Sequence, residues 1–331
     1  MKLITPVLAG IAAALLVLTG CSAGANSSGN KASDTASSSS SAFPVTVDTK
    51  FGDVTIPKKP ERVVALGWGD AETALALGVQ PVGASDWLGF GGEGVGPWAK
   101  GLYTKAPKII GTLEPSYEAI AALHPDLILD TKSSGDKARY EKLTAIAPTV
   151  DVPKGGDNYL TSFTQQMTMI STALGKKATG QKLIAQVNDQ VTAVAKAHPG
   201  WKGVTVTAAT KTSEGWGAYI TGSERVDQLT KLGFVQNPKI AALKANSTGF
   251  SVSISEENLD LIDSDVIVAF PIFIKESAIT QDPAWKNLTA VTKDHAVVID
   301  GDLAAAYSLG TSLSREYALK HLVPLLEKAT K

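Results

Sequence analysis

Two stretches of alternating strand and helix pattern, separated by the purely helical residues 158–197, constrain this chain more than any other feature. The first stretch holds short apolar strands at residues 62–66 and 127–129, and the second resumes with a strand at 204–207. Short apolar strands that alternate with helices are typical of parallel α/β sheets. The sequence therefore predicts two α/β lobes rather than one continuous sheet.

A weak internal repeat supports this doubling. Residues 116–128 align with residues 255–267, and each copy has a serine, a glutamate two residues later (Glu118 and Glu257), and an aspartate before an apolar strand. Two unrelated αβ units could share such helix start signals. The order of the surrounding elements also agrees, which favours two related lobes.

The helical stretch between the lobes is divided by Gly175. Its second half, residues 176–197, has one apolar stripe at helical spacing and would span roughly 30 Å. We therefore expect an α/β fold with two Rossmann-like lobes, at 43–175 and 198–331, joined by this single long helix. The ligand cleft is expected between the lobes, outside the carboxyl ends of the strands.

The N-terminus has the pattern of an export signal. Lys2 precedes the uncharged, mostly apolar residues 3–18, which are too few for a comfortable membrane span. The small residue before Cys21 resembles the lipobox of bacterial lipoproteins, which implies a signal peptide over 1–20 and lipidation of Cys21. A free thiol beside an ordinary cleavage site is the alternative. Residues 21–42, rich in serine and lacking large apolar side chains before Phe43, are expected to form a flexible tether.

Several functional classes are disfavoured by composition and motifs. Thirty-one Lys and Arg against 32 Asp and Glu leave a net charge of −1, which argues against nucleic acid as a partner. One cysteine excludes intrachain disulfides and cysteine zinc sites, and the four dispersed histidines form no metal motif. Ser134 and Lys137 fit an SxxK pattern without its companion motifs, so a lipid-anchored serine hydrolase remains only an alternative. A purely structural surface protein is a third possibility.

Aromatic residues make up only 6% of the chain, yet many fall in loops predicted at the cleft. Such residues often only anchor their own loops, but as a set they predict a cavity for a bulky organic ligand, with nearby cations meeting its oxygens. The predicted ligand-binding residues are Trp68, Trp87, Arg139, Trp216, Tyr219, Arg225, Phe273, Lys275 and Tyr307.

From about residue 57 onward, the order of segments resembles the substrate-binding lipoproteins of iron–siderophore ABC importers. The resembling stretches lie at 59–64, 118–128, 146–148, 257–267 and 283–288. The resemblance implies a monomeric, membrane-anchored, extracytoplasmic protein that is not an enzyme, captures a ferric siderophore and delivers it to a permease. It also implies that Glu118 and Glu257 dock permease arginines, whereas the residues alone allow simple stabilisation of a helix N-terminus.

The ligand itself stays open at this stage. The family also binds haem and cobalamin, and Tyr219 or Tyr307 could supply a haem ligand. The chain contains only four arginines, which fits a hydroxamate or mixed chelate better than a catecholate. No resident metal or cofactor is expected.

Overall fold

The computed structural model describes residues 42–156 and 158–331. The predicted signal peptide, Cys21 and nearly all of the predicted tether therefore lie outside the described residues. Within the described ranges, no helix combines the length and apolarity that crossing a membrane would require.

The N-terminal lobe is built on a parallel five-stranded sheet with the order β5-β4-β3-β6-β7. An antiparallel hairpin precedes it, and the sequence had not indicated this hairpin. The strands are β1 Val45–Thr49, β2 Gly52–Ile56, β3 Val63–Ala65, β4 Gly83–Ser85, β5 Lys108–Ile110, β6 Leu127–Leu129 and β7 Thr149–Val150.

Side-chain caps fix where most of this lobe's helices begin. Ser116, Asp136 and Ser162 each accept a hydrogen bond from a backbone N–H in the first turn of the helix that follows. Such caps satisfy donors that a helix leaves unpaired at its start. The helices are α1 Asp70–Ala76, α2 Tyr117–Ala121, α3 Lys137–Thr144 and α4 Phe163–Ala173.

One long helix, α5 Lys177–Ala197, connects the two sheets, close to the predicted 176–197. Leu183 and Ile184 pack on the core of the N-terminal lobe, Val194 packs on that of the C-terminal lobe, and Val191 contacts both. The apolar stripe read from the sequence is therefore the surface that holds the helix against both lobes.

The C-terminal lobe has a mixed six-stranded sheet with the order β11-β9-β8-β12-β13, in which β10 also pairs with β8. Trp216 and Tyr219 were expected in a cleft loop, but both lie on strand β9, which runs antiparallel between β8 and β11. The strands are β8 Thr205–Thr212, β9 Gly215–Tyr219, β10 Val235–Gln236, β11 Ser251–Ile254, β12 Val266–Pro271 and β13 Ala296–Val298.

The last helix reaches back to the N-terminal lobe. Its later residues Leu322 and Leu326 lie in the core of the C-terminal lobe, while Tyr317 contacts the Trp98 ring with centroids 5.2 Å apart. The helices of this lobe are α6 Glu224–Lys231, α7 Pro238–Ala241, α8 Ser277–Thr280, α9 Pro283–Lys286, α10 Thr289–Thr292, α11 Gly301–Leu309 and α12 Ser312–Ala329, with 3-10 turns at Pro199–Trp201 and Glu256–Ile262. The N-terminal lobe has one 3-10 turn among its described residues, at Pro97–Ala99.

Candidate functional site

A cavity of about 570 Å³ lies between the two lobes. It is bounded by segments that follow the carboxyl ends of strands β3, β4, β5, β12 and β13, which is where open α/β sheets bind ligands. Both lobes contribute to its wall. The lining residues are Trp68, Asp86, Trp87, Leu88, Thr112, Leu113, Arg225, Phe270, Pro271, Ile272, Phe273, Gly301, Ala304, Ala305 and Ser308.

Stacked aromatic rings form one wall of this cavity. The rings of Trp68 and Trp87 lie 4.1 Å apart and 9° from parallel, and Tyr159 stacks on the other side of Trp68 at 4.0 Å. The indole N–H groups of both tryptophans are buried and donate to no partner among the described residues. Because Trp68 is covered on both faces, a ligand in this cavity would contact the edge of this aromatic stack.

Arg225, the second residue of α6, is the cation of this wall. Its guanidinium lies 4.6 Å from the ring centroid of Tyr219 and 5.8 Å from that of Trp87, and the residue is only 6% exposed. In the described chain, no carboxylate pairs with Arg225 and its buried Nε donates no hydrogen bond. Because an unpaired buried charge is costly, this group is suited to oxygen atoms of a ligand.

A buried carboxylate, Asp70, holds the loop that carries Trp68. It accepts hydrogen bonds from the backbone N–H groups of Gly67 and Thr131, at 3.1 and 2.8 Å, and from the Gln166 amide at 2.6 Å. The same amide donates to the Trp68 carbonyl at 2.8 Å. Burial raises the pKa of Asp70 to about 6, despite the hydrogen bonds that favour its charged form. This network fixes the backbone from which Trp68 projects.

Polar contacts between the lobes lie beneath the cavity. Glu72 of α1 accepts hydrogen bonds from the Trp98 indole and from the Thr311 hydroxyl of the opposite lobe, both at 2.8 Å. Burial raises the pKa of Glu72 above its ordinary range.

A second contact joins Lys132 of the N-terminal lobe to Glu224, with Nζ and Oε2 4.0 Å apart. Glu224 also pairs with Arg315 at 2.8 Å. Burial lowers the pKa of Lys132 to about 8, and its ammonium makes no hydrogen bond to any described residue. The lobes are thus joined by buried polar groups as well as by α5.

Of the predicted ligand-binding residues, the structure brings Trp68, Trp87, Arg225 and Phe273 together at this cavity. Arg139 lies elsewhere, because its guanidinium forms a two-fold ion pair with Asp130, with N–O distances of 2.7 and 2.8 Å. It also donates to the carbonyls of Thr112 and Leu113, at 2.9 and 3.3 Å. Arg139 therefore positions two lining residues instead of lining the cavity.

Trp216 was expected in a cleft loop but lies on β9, facing the core on the far side of the sheet. It stacks on Trp285 with centroids 5.5 Å apart and donates to Asp282 at 3.0 Å. Lys275 is exposed and also lies outside the cavity lining.

Tyr219 and Tyr307 lie behind the cavity wall and are both buried. The Tyr307 hydroxyl donates to the backbone carbonyl of Arg225 at 2.7 Å, and burial raises its pKa well above the usual range. Neither tyrosine presents a hydroxyl as a haem ligand, because neither lines the cavity.

Several lining residues had no distinguishing signal in the sequence. Leu88 and Leu113 resemble ordinary loop residues, whereas Gly301, Ala304 and Ala305 belong to α11, whose small side chains leave space beside the cavity. The small residues at the start of α11 were the one indication in the sequence that this helix leaves space for a ligand.

The alternatives to a binding cavity find little support in the geometry. The Lys137 ammonium of the SxxK pattern pairs with Glu141 on its own helix, and both residues are exposed. No group of three His, Cys, Asp or Glu side chains within 42–156 and 158–331 could hold a metal ion.

A larger cavity, of about 690 Å³, lies at the opposite end of the C-terminal sheet, near the amino ends of β8 and β12. Its carboxylates are already engaged, since Asp263 accepts from the backbone of Thr289 and Ala290 and Asp265 accepts from Thr205. The cavity between the lobes is therefore the better candidate site.

Comparisons with known proteins show the family to which the chain belongs. The family described as "Periplasmic binding protein" matches residues 63–303. A probable siderophore-binding lipoprotein of Bacillus subtilis is 31% identical over 301 residues, which cover 87% of each chain. A periplasmic solute binding protein from Mycobacterium smegmatis is 30% identical with a TM-score of 0.75, covering 87% of this chain and 99% of that one. An iron-uptake substrate-binding protein of Streptococcus pneumoniae, PiaA, solved with ferrichrome, is 29% identical with a TM-score of 0.74, covering 86% and 98%. The chain therefore belongs to the periplasmic binding protein family.

Proposed function

We propose that this protein captures a ferric siderophore in the cavity between its lobes and delivers it to the permease of an ABC importer, without catalysing a reaction. The observation that carries the proposal is the buried, unpaired guanidinium of Arg225 in an aromatic wall. A ferric chelate offers oxygen atoms to that cation and an organic shell to Trp68 and Trp87. The name of the B. subtilis relative and the ferrichrome bound in the PiaA structure support the same ligand class.

Haem and cobalamin are the alternatives within the same fold. The cavity lining contains no histidine, and Tyr219 and Tyr307 lie outside it. Relative to haem, the geometry therefore favours a ligand whose metal is already fully coordinated by its own donor atoms.

Tryptophan fluorescence provides the direct test. Two of the six tryptophans, Trp68 and Trp87, line the cavity, so a bound ferric chelate should quench part of the emission. Replacing both by phenylalanine should remove most of that quenching. Trp201→Phe is the matched control, since Trp201 packs in the core of the C-terminal lobe, outside the interlobe cavity.

The titration should include ferric hydroxamates, ferric catecholates, haem and cobalamin. Saturable quenching by at least one ferric chelate is expected. If none of the four classes binds, the proposed function is wrong.

Permease docking is assigned to one acidic residue on each lobe. Glu118 lies in the first turn of α2 and Glu257 near the start of the 3-10 turn Glu256–Ile262, and both are exposed. Exposed carboxylates at such positions are available to arginines of a partner. Reversing both charges should abolish iron uptake while leaving ligand binding intact, whereas Asp189→Lys on α5 should leave uptake unchanged. Normal uptake by the double variant would refute this role.

The anchor is assigned to Cys21, and the protein is expected to act as a monomer on the extracytoplasmic face of the membrane. The relatives named as lipoproteins support this location. Cys21→Ser should release the protein from the membrane fraction and prevent incorporation of labelled fatty acid. Unchanged membrane retention and labelling would contradict the assignment.

A further inference from the structure

The charges of the cavity lining sum to zero. Arg225 is its one cation and Asp86 its one anion, and most of the other lining residues are aromatic, aliphatic or glycine. The Asp86 carboxylate accepts hydrogen bonds from the backbone N–H groups of Phe90 and Gly91, at 3.0 and 2.7 Å. A bound ligand would therefore find one positive charge and one negative charge in a largely apolar surround.

Two exposed apolar side chains face the cavity from opposite lobes, and we call them the lip pair: Leu113 and Phe273. Leu113 is 69% exposed and Phe273 is 87% exposed, although both line the cavity. Large apolar side chains with this much exposure often mark a surface that meets a ligand or partner.

The backbone of each lip residue is held in an unusual way. Leu113 receives a hydrogen bond on its carbonyl from the buried guanidinium of Arg139. Phe273 has a φ of 55°, a conformation that L-residues other than Asn, Asp and His seldom adopt and that is concentrated at functional sites. The two side chains are therefore presented by constrained backbone and not by loose loops.

We infer that the cavity selects a ferric chelate with a net charge near zero and a hydrocarbon outer face, and that Leu113 and Phe273 contact that face from opposite lobes. The inference rests on the proposed function and narrows its ligand class. A triply anionic chelate, such as a ferric tris-catecholate, would bring charges that Arg225 alone cannot neutralise, and Asp86 would repel them. A ferric trihydroxamate, in which three anionic hydroxamates balance Fe(III), carries no such excess.

The test compares the dissociation constants of a neutral ferric trihydroxamate and a ferric tris-catecholate by fluorescence titration. The wild-type protein should bind the trihydroxamate at least ~100-fold more tightly, because unneutralised charge is costly in an apolar cavity. Leu113→Lys and Phe273→Lys each add a cation at the lip pair and should each narrow that ratio by about tenfold. Leu102→Lys is the matched control, since Leu102 is 40% exposed and lies outside the cavity lining.

Tris-catecholate binding as tight as, or tighter than, trihydroxamate binding would overturn the inference and leave the proposed function intact. A ratio that responds equally to Leu102→Lys and to the two lip variants would also overturn it. If no ferric chelate of either class binds, the proposed function fails and the inference with it.

Discussion

Two buried arginines in this fold should respond in opposite ways to the same substitution. Arg139 pairs with the fully buried Asp130, whereas Arg225 has no carboxylate partner in the described chain. Removing one partner of a buried ion pair leaves the other charge uncompensated and typically costs about 3–5 kcal/mol. Arg139→Met should therefore lower the free energy of unfolding by about that amount.

Arg225→Met should leave the ligand-free protein at least as stable as the wild type. The desolvation of an unpaired guanidinium costs several kcal/mol, and its contacts with Trp87 and Tyr219 return about 2 kcal/mol each. The methionine thioether keeps part of the contact with both rings. We expect a change between zero and about 1 kcal/mol of added stability.

The same substitution should weaken ligand binding. A hydrogen bond to a charged group contributes about 1.5–3 kcal/mol, which corresponds to a loss of affinity of about 10- to 150-fold. Arg225→Lys keeps the positive charge but loses the planar guanidinium, so this variant's affinity should lie between those of the wild type and of Arg225→Met. Urea unfolding without ligand measures the change in stability. Fluorescence titration with the ferric trihydroxamate measures the change in affinity.

The reverse pattern would contradict this assignment of Arg225. If Arg225→Met destabilised the ligand-free protein by more than about 2 kcal/mol and left affinity unchanged, Arg225 would be a structural residue. If Arg225→Met lost stability and affinity to the same extent, the charge of Arg225 would likewise be compensated within the fold.

Three further predictions concern the buried network beneath the cavity. The folded pKa of Asp70 is about 6 against an ordinary 3.8, so its proton is bound more tightly in the folded state. The free energy of unfolding should therefore fall by roughly 3 kcal/mol as the pH rises from 3 to 7, and urea titrations of Asp70→Asn should lack that component. Gly310 has a φ of 76° and a Cβ there would collide with the Glu224 side chain, so Gly310→Ala should lower stability by about 2–4 kcal/mol in thermal unfolding. Lys132→Met should not lower the urea midpoint at pH 7, because Glu224 keeps its pair with Arg315.

The elements that the sequence predicted well are those with local signals. The strand at Leu127–Leu129 was placed correctly, and the linking helix was placed to within one residue at its start. Both are marked by a continuous apolar pattern and by a glycine, proline or cap nearby. The fold class followed from the order of such elements.

Strand β9 was missed because its composition is not typical of a strand. It contains two glycines in five residues, and one of its two partners, β11, lies more than thirty residues further along the chain. Once the pairing exists, Trp216 and Tyr219 point to opposite faces of the sheet, which sends Trp216 away from the cleft.

The two arginines illustrate the same limit for side chains. Nothing near Arg139 or Arg225 in the sequence distinguishes a paired guanidinium from an unpaired one. Asp130 reaches Arg139 only because β6 and α3 pack together, and Glu224, the neighbour of Arg225, is drawn to Arg315 ninety-one residues away. The sequence can place charged residues near the cleft, but which groups pair with one another depends on the tertiary structure.

The pairing of charges separates what holds the lobes together from what is available to a ligand. Glu72 and Thr311 join the lobes through a buried hydrogen bond, and α5 packs on both cores. A wide opening of the cleft would break that hydrogen bond and separate the Lys132 ammonium from Glu224. The lobes are therefore expected to move little. We therefore expect Arg225 to meet a ligand in a cavity that is already formed, so that little of the binding free energy is lost to rearrangement of the lobes.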